Sequence, residues 1–357
     1  MEPRHTLRAL FAHNDWARDK LMLLASSLSS EQLDRPFEMG PGSLRKTLRH
    51  LYGAERYWFE KWHGRELPQF PRSRDVAEPG ALWDAFRRLA AARDTFLDGV
   101  TESDLATRVR YEGSDGAHAT PLGDLLLHVT NHGIHHRAQA LNMLRHVGFP
   151  KPPGLDYLFM TIEEPTVEFD IVTREKIIQM GFEPGAAPLP PVDCDIGTIR
   201  EYFRYCDWAR DRVHQLAAGL NDPQLEQPYE MGPGSIRKTL LHIRDAEQWW
   251  YENWTSGPER AFDELPETTS IADLNDASRR TAETRSAFLD GLVNEELKRV
   301  VSATVRPGTE LIFRLGETML QLCGHGVHHR AQVLNMLRHS GVEVPPLDYL
   351  DWCHATA

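Results

Sequence analysis

Several common kinds of chemistry are missing from this 357-residue sequence. It holds four cysteines, Cys194, Cys206, Cys323 and Cys353, all in the second half and none in a CxxC pair. That scarcity excludes a disulfide framework and a thiolate zinc knuckle, and reduced thiols are expected. Positive charge is not in excess: the net charge is −12 and the isoelectric point about 5.8, so the chain lacks the basic footprint that binding to nucleic acid requires. Long apolar runs are absent, and the N-terminal MEPRHTLRALFAHND has no signal-peptide core, so no membrane partner is expected and a cytoplasmic location is. No P-loop lysine, Ser-His-Asp set or paired-carboxylate arrangement stands out. What remains is an ordinary globular composition, 41% hydrophobic and 26% charged, able to build a core.

The sequence contains itself twice. HGIHHRAQALNMLRHVG, from His132 to Gly148, returns as HGVHHRAQVLNMLRHSG from His325 to Gly341, with fourteen of seventeen positions identical. Residues 6–62 and 198–254 align without a gap at an offset of 192, with 30 identities in 57 positions. The repeating unit is therefore a whole domain rather than a solenoid turn. The expected domains are residues 1–165 and 194–357, joined by a linker over 166–193 that the Pro-rich PGAAPLPPV makes stiff and extended.

Apolar spacing predicts four helices per copy. The first reads TLRALFAHNDWARDKLMLLASSL and, in the second copy, TIREYFRYCDWARDRVHQLAAGL. A loop, EMGPGS at Glu38–Ser43 and Glu230–Ser235, then breaks the chain and offers Ser43 or Ser235 as the cap of the next helix. The second helix carries His50 or His242. A third runs through ALWDAFRRLAAARDTFLDGV, in a stretch where the copies share little beyond FLDG, and a short alternating segment after it predicts a β-hairpin at the bundle end. The fourth carries the histidine repeat and stops at Gly148 or Gly341 in the Schellman manner.

On the fourth helix the core-facing seam runs Leu122, Leu125, Val129, His132, His136, Gln139 and Met143, and again Leu315, Thr318, Leu322, His325, His329, Gln332 and Met336. Histidines four apart sit one above the other on one face, so each pair can aim its nitrogens at a common point. A buried polar group without a partner costs roughly 1 to 3 kcal/mol, and a shared cation removes that cost for several imidazoles together. With the histidine of helix two, each copy offers three imidazoles and an open position, a catalytic-type site for Zn²⁺ that would also suit Ni²⁺ or Fe²⁺. The candidate metal ligands are His50, His132 and His136 in one copy and His242, His325 and His329 in the other. His135 and His328 fall one position off the seam and are expected to be exposed. Glu55 and Glu247 point some 140° away from the helix-two histidine; pairing with Arg137 and Arg330 is expected of them, or holding a ligand imidazole from behind, or else a place on the surface.

A histidine on helix two, HxxxHRxQ on helix four and DWA on helix one make each half similar to the DinB-like superfamily, which includes DinB proteins, bacillithiol transferases and mycothiol-dependent isomerases. The resemblance covers about 160 residues of each half and implies an all-α protein of two tandem four-helix bundles, each holding a divalent metal on its three histidines. It further implies use of a low-molecular-weight thiol whose sulfur the metal activates for transfer or isomerisation, a small-molecule substrate, and two halves that pair as separate chains do elsewhere in the family. A metal-dependent transferase or hydrolase is the leading expectation. The other is a non-catalytic metal-binding or stress-response protein whose histidines only stabilise the bundle.

Overall fold

The computed structural model describes residues 3–65, 69–113, 116–161, 193–257, 264–306 and 309–356. Of these, residues 7–155, 159–161 and 353–356 form one compact unit, and residues 3–6, 156–158 and 193–352 form the other. The expected linker lies, apart from residue 193, outside the described residues.

The first copy is built from α1 (Pro3–Ser26), the short α2 (Ser30–Asp34), α3 (Leu44–Trp62), α4 (Pro79–Gly99), the short α5 (Glu102–Leu105), β1 (Arg108–Gly113), β2 (Gly116–Pro121), α6 (Leu122–His146) and α7 (Tyr157–Thr161). The second repeats the plan with α8 (Ile196–Ala217), α9 (Asp222–Leu225), α10 (Ile236–Ser256), α11 (Ile271–Asp290), a 3₁₀ turn at Asn294–Lys298, β3 (Val300–Arg306), β4 (Thr309–Arg314), α12 (Leu315–His339) and α13 (Tyr349–Thr356). Each is a four-helix bundle with one two-stranded antiparallel hairpin, paired Arg108 to Pro121 and Val300 to Arg314. The hairpins lead straight into the helices that carry the histidine pairs: Leu122 N–H bonds the Thr107 carbonyl at 2.9 Å and Leu315 N–H the Arg299 carbonyl at 2.8 Å. No helix among the described residues is long and apolar enough to cross a membrane.

The start of α3 follows from the EMGPGS loop. Gly40 and Gly42 take φ of +50° and +94°, and Gly232 and Gly234 take +51° and +101° in the second copy, which side chains other than glycine rarely adopt. The chain so turned brings Ser43 Oγ to within 3.3 Å of the Lys46 N–H, and Ser235 Oγ to within 3.2 Å of the Lys238 N–H. At the other end of the fourth helices, Phe149 N–H reaches the Leu144 carbonyl and Val342 N–H the Leu337 carbonyl, each at 3.0 Å, across Gly148 and Gly341 with positive φ. These are the expected glycine stops.

The bundle cores also hold buried ions. In the N-terminal bundle, Arg18 and Arg93 enclose Asp15 and Glu55: Arg18 Nη1 lies 2.5 Å from Asp15, Arg93 also bonds Asp15, and Glu55 Oε2 lies 4.0 and 3.8 Å from the two guanidinium groups. In the other bundle Arg285 Nη2 is 2.6 Å from Asp207, Arg285 Nη1 is 3.1 Å from Glu247, and Arg210 lies 2.7 Å from Asp207. The conserved-looking DWARD therefore supplies a carboxylate and a guanidinium to a charge cluster. The partners expected for Glu55 and Glu247 are corrected: both are buried, and they meet Arg18 with Arg93 and Arg210 with Arg285. Arg137 bonds Asn14 while its charge still acts on Glu55, and Arg330 lies 3.6 Å from Cys206. An arginine three residues before Phe96 and Phe288 was the unread signal, because the surrounding residues differ between the copies.

Candidate metal centre

The histidines of α3 and α6 meet inside the N-terminal bundle. His50 Nε2 lies 3.0 Å from His132 Nε2 and 3.1 Å from His136 Nε2. In the C-terminal bundle His242, His325 and His329 form the same group, with ring centroids 4.4–4.9 Å apart, and in both groups the ligand atoms all fall within 4.8 Å of one another. All six candidate residues are thus brought together, three and three. No further His, Cys, Asp or Glu joins either group among the described residues.

These separations fit a shared cation better than a hydrogen-bonded cluster. A ring nitrogen carries one proton or one lone pair, so His50 Nε2 can satisfy only one of its two neighbours. Three lone pairs can all point at one ion, and tetrahedral ligands with Zn–N distances of about 2.0–2.1 Å have nitrogens about 3.3 Å apart.

The surroundings prepare the lone pairs. His136 Nδ1 donates to Gln139 Oε1 at 2.8 Å, which fixes the ring proton on Nδ1 and leaves Nε2 bare for the centre. His329 and Gln332 repeat this at 2.8 Å. The same carboxamides donate onward to His135 at 3.1 Å and His328 at 3.0 Å. The expectation that those two histidines are exposed is corrected: they are half-buried, because the glutamine one turn along draws them in. Behind each glutamine lies the glycine loop. A Cβ at Gly40 would collide with the Gln139 carboxamide, and one at Gly232 with that of Gln332. The Gly-Pro-Gly turn therefore backs the residue that orients the histidine.

Burial disfavours the charged form of His50, His132, His136, His242 and His329. Desolvation, followed by the charges of neighbouring histidines, pushes His132 and His329 well below the usual histidine range, and desolvation followed by His135 and His50 does so for His136. Desolvation lowers His50, and lowers His242 to about 4. Away from the centre, burial takes His214 to about 4 as well. An unfolded chain binds protons on these rings near pH 6.5, whereas the folded chain takes them up only at lower pH, about 4 for His242 and His214. The unfolded state therefore holds more protons in between, and stability is lost as pH falls from 6.5 towards 4. In metal-free protein the urea midpoint is expected to drop steadily across that window; a flat midpoint would contradict it.

His50 and His242 lie at the solvent-exposed edge of their groups, whereas their four partners are half-buried. Each group thus reaches solvent at its helix-two histidine.

The sequence model of the DinB family matches residues 2–167 and again 194–356. The chain belongs to the DinB family. Among curated proteins, Protein DinB of Bacillus subtilis (strain 168) is 28% identical over 165 residues, spanning 43% of this chain and 95% of its own length. One copy of the DinB unit here thus corresponds to almost the whole of that relative. No solved structure matches the chain significantly.

Proposed function

We propose that this tandem DinB-family protein is a metal-dependent enzyme acting on a small molecule, as a thiol S-transferase or a hydrolase, with one divalent cation, Zn²⁺, Ni²⁺ or Fe²⁺, on each three-histidine group. The observation that carries this reading is the missing fourth ligand: three imidazoles converge with the helix-two ring exposed, and no further His, Cys, Asp or Glu closes the group among the described residues. Structural zinc sites are closed by four protein ligands, whereas catalytic sites keep a position for water or substrate. A cation held there lowers the proton affinity of a thiol or water beside it, so that either is a nucleophile near neutral pH. The protein's own residues do the rest. Gln139 and Gln332 hold one imidazole of each set, the fourth helix shields the inner side from water, and His50 and His242 leave the rim accessible to a substrate and to a low-molecular-weight thiol. The scarcity of cysteine supports a cytoplasmic setting, where such thiols are abundant and reduced.

The test is elemental analysis of the purified protein followed by a thiol-transfer and ester-hydrolysis panel before and after chelation. Activity that disappears with the metal and returns on re-addition is expected. Bound metal with no activity across the panel would favour the non-catalytic metal-binding reading, and an unchanged rate in stripped protein would remove the enzymatic one.

A further inference from the structure

The two centres differ in what stands behind their histidines. His136 and His329 are matched, each backed by a glutamine. His325 and His132 are not. In the unit that contains residues 156–158 and 193–352, Asp156 Oδ2 lies 3.6 Å from His325 Nδ1. Gln321, one turn before His325 on α12, fixes that carboxylate: its Nε2 donates to Asp156 Oδ2 at 3.1 Å, and its Oε1 accepts from Leu158 N–H at 3.1 Å. With Nδ1 turned to the carboxylate, the nitrogen left for the centre is His325 Nε2, which is buried and has no hydrogen-bond partner. In the N-terminal bundle the position of Gln321 is taken by His128, whose ring packs edge-on against Trp58 at 5.5 Å. Among the described residues no carboxylate pairs with His132. The aspartate matching Asp156 in the second LDYL motif is Asp348, and it accepts from the Leu350 and Asp351 N–H groups at 2.9 and 3.1 Å, in the manner of a helix cap.

We propose that Asp156 is a positioning residue for His325, and that it makes the His242, His325 and His329 centre the tighter of the two divalent-cation sites. A carboxylate facing Nδ1–H sets the tautomer that presents a lone pair at Nε2, restrains the ring, and makes the imidazole a stronger donor; losing such an outer partner typically costs 10–100-fold in metal affinity. It also places a negative charge beside one cation and not the other. Gln321 is the specificity element, because it holds the Asp156 segment to α12. The inference rests on the reading that the triads bind a divalent cation.

The experiment uses full-length, chelator-stripped chain titrated with Co²⁺, whose visible absorption reports ligand geometry, and with Zn²⁺ in competition with a chromophoric chelator. His136→Ala leaves the second centre intact and His329→Ala the first, so each dissociation constant is measured alone. The second centre is expected to bind 10–100-fold more tightly. Adding Asp156→Asn to the His136→Ala chain is expected to erase that advantage and alter the cobalt spectrum at unchanged helical circular dichroism, and Asp156→Glu to restore part of it. Asp348→Asn in the His329→Ala chain is expected to leave affinity within twofold. Equal constants at the two centres, or an Asp156→Asn chain that binds as before, would overturn the proposal while leaving the metal reading standing. The comparison of single-centre chains decides the matter even if changes at 156 disturb folding. Failure of both chains to take up cobalt would instead remove the metal reading, and this inference with it.

Discussion

Replacing His136 by alanine is expected to empty the N-terminal centre and leave the other loaded, so that tightly bound metal falls from two ions per chain to one. His132 and His50 would remain, but two imidazoles and water form a far weaker site. Loss of an outer-shell partner alone costs 10–100-fold, so removing a direct ligand should exceed ~100-fold. The fold should survive: His136 lies on the core-facing seam but is only half-buried, and α6 keeps its buried leucines on either side. Metal content after gel filtration, measured beside His329→Ala and the double variant, checks the result. One ion in each single variant and none in the double is the expected pattern, and two ions in either single variant would contradict the shared-cation geometry.

The second large effect lies away from the histidines. Arg285 is fully buried, with Asp207 at 2.6 Å and Glu247 at 3.1 Å. Arg285→Ala leaves the buried Glu247 and the half-buried Asp207 with Arg210 alone, and breaking a buried ion cluster by removing one member typically costs about 3–5 kcal/mol. A change of that size should be plain in urea unfolding followed by circular dichroism. Arg285→Met combined with Asp207→Asn and Glu247→Gln removes the uncompensated charge and is expected to recover much of the loss. An Arg285→Ala chain within about 1 kcal/mol of the parent would show the cluster to be better hydrated than its burial indicates.

Much of this arrangement was legible in the sequence because duplication made it so. Histidines at positions 132 and 136 sit where the apolar period calls for leucine, and that conflict recurs at 325 and 329, so the pairing with His50 and His242 could be read before any coordinates. The helix stops and the Ser43 cap were legible too, since glycine and serine carry their backbone roles locally. Three features were not. The partners of Glu55 and Glu247 come from the first and third long helices of each bundle, α1 with α4 and α8 with α11, and angular spacing along one helix says where a side chain leaves, not what awaits it. His135 looked exposed by periodicity, yet Gln139 draws it inward. Asp156 lies in a repeated LDYL segment, but the two aspartates do different work, and identical local sequence hides that.

The backing of Gln139 and Gln332 by glycines with positive φ has a consequence for how these proteins can change over time. A substitution at Gly40 would disturb a turn, a helix start and a ligand's orientation together, so the loop can tolerate almost nothing. The arrangement of two copies in one chain relaxes a different constraint. Two identical subunits must alter both centres whenever one mutates, whereas here a change at Asp156 or Gln321 touches one centre and spares its twin, which leaves one pocket free to acquire a new preference while the other keeps the old.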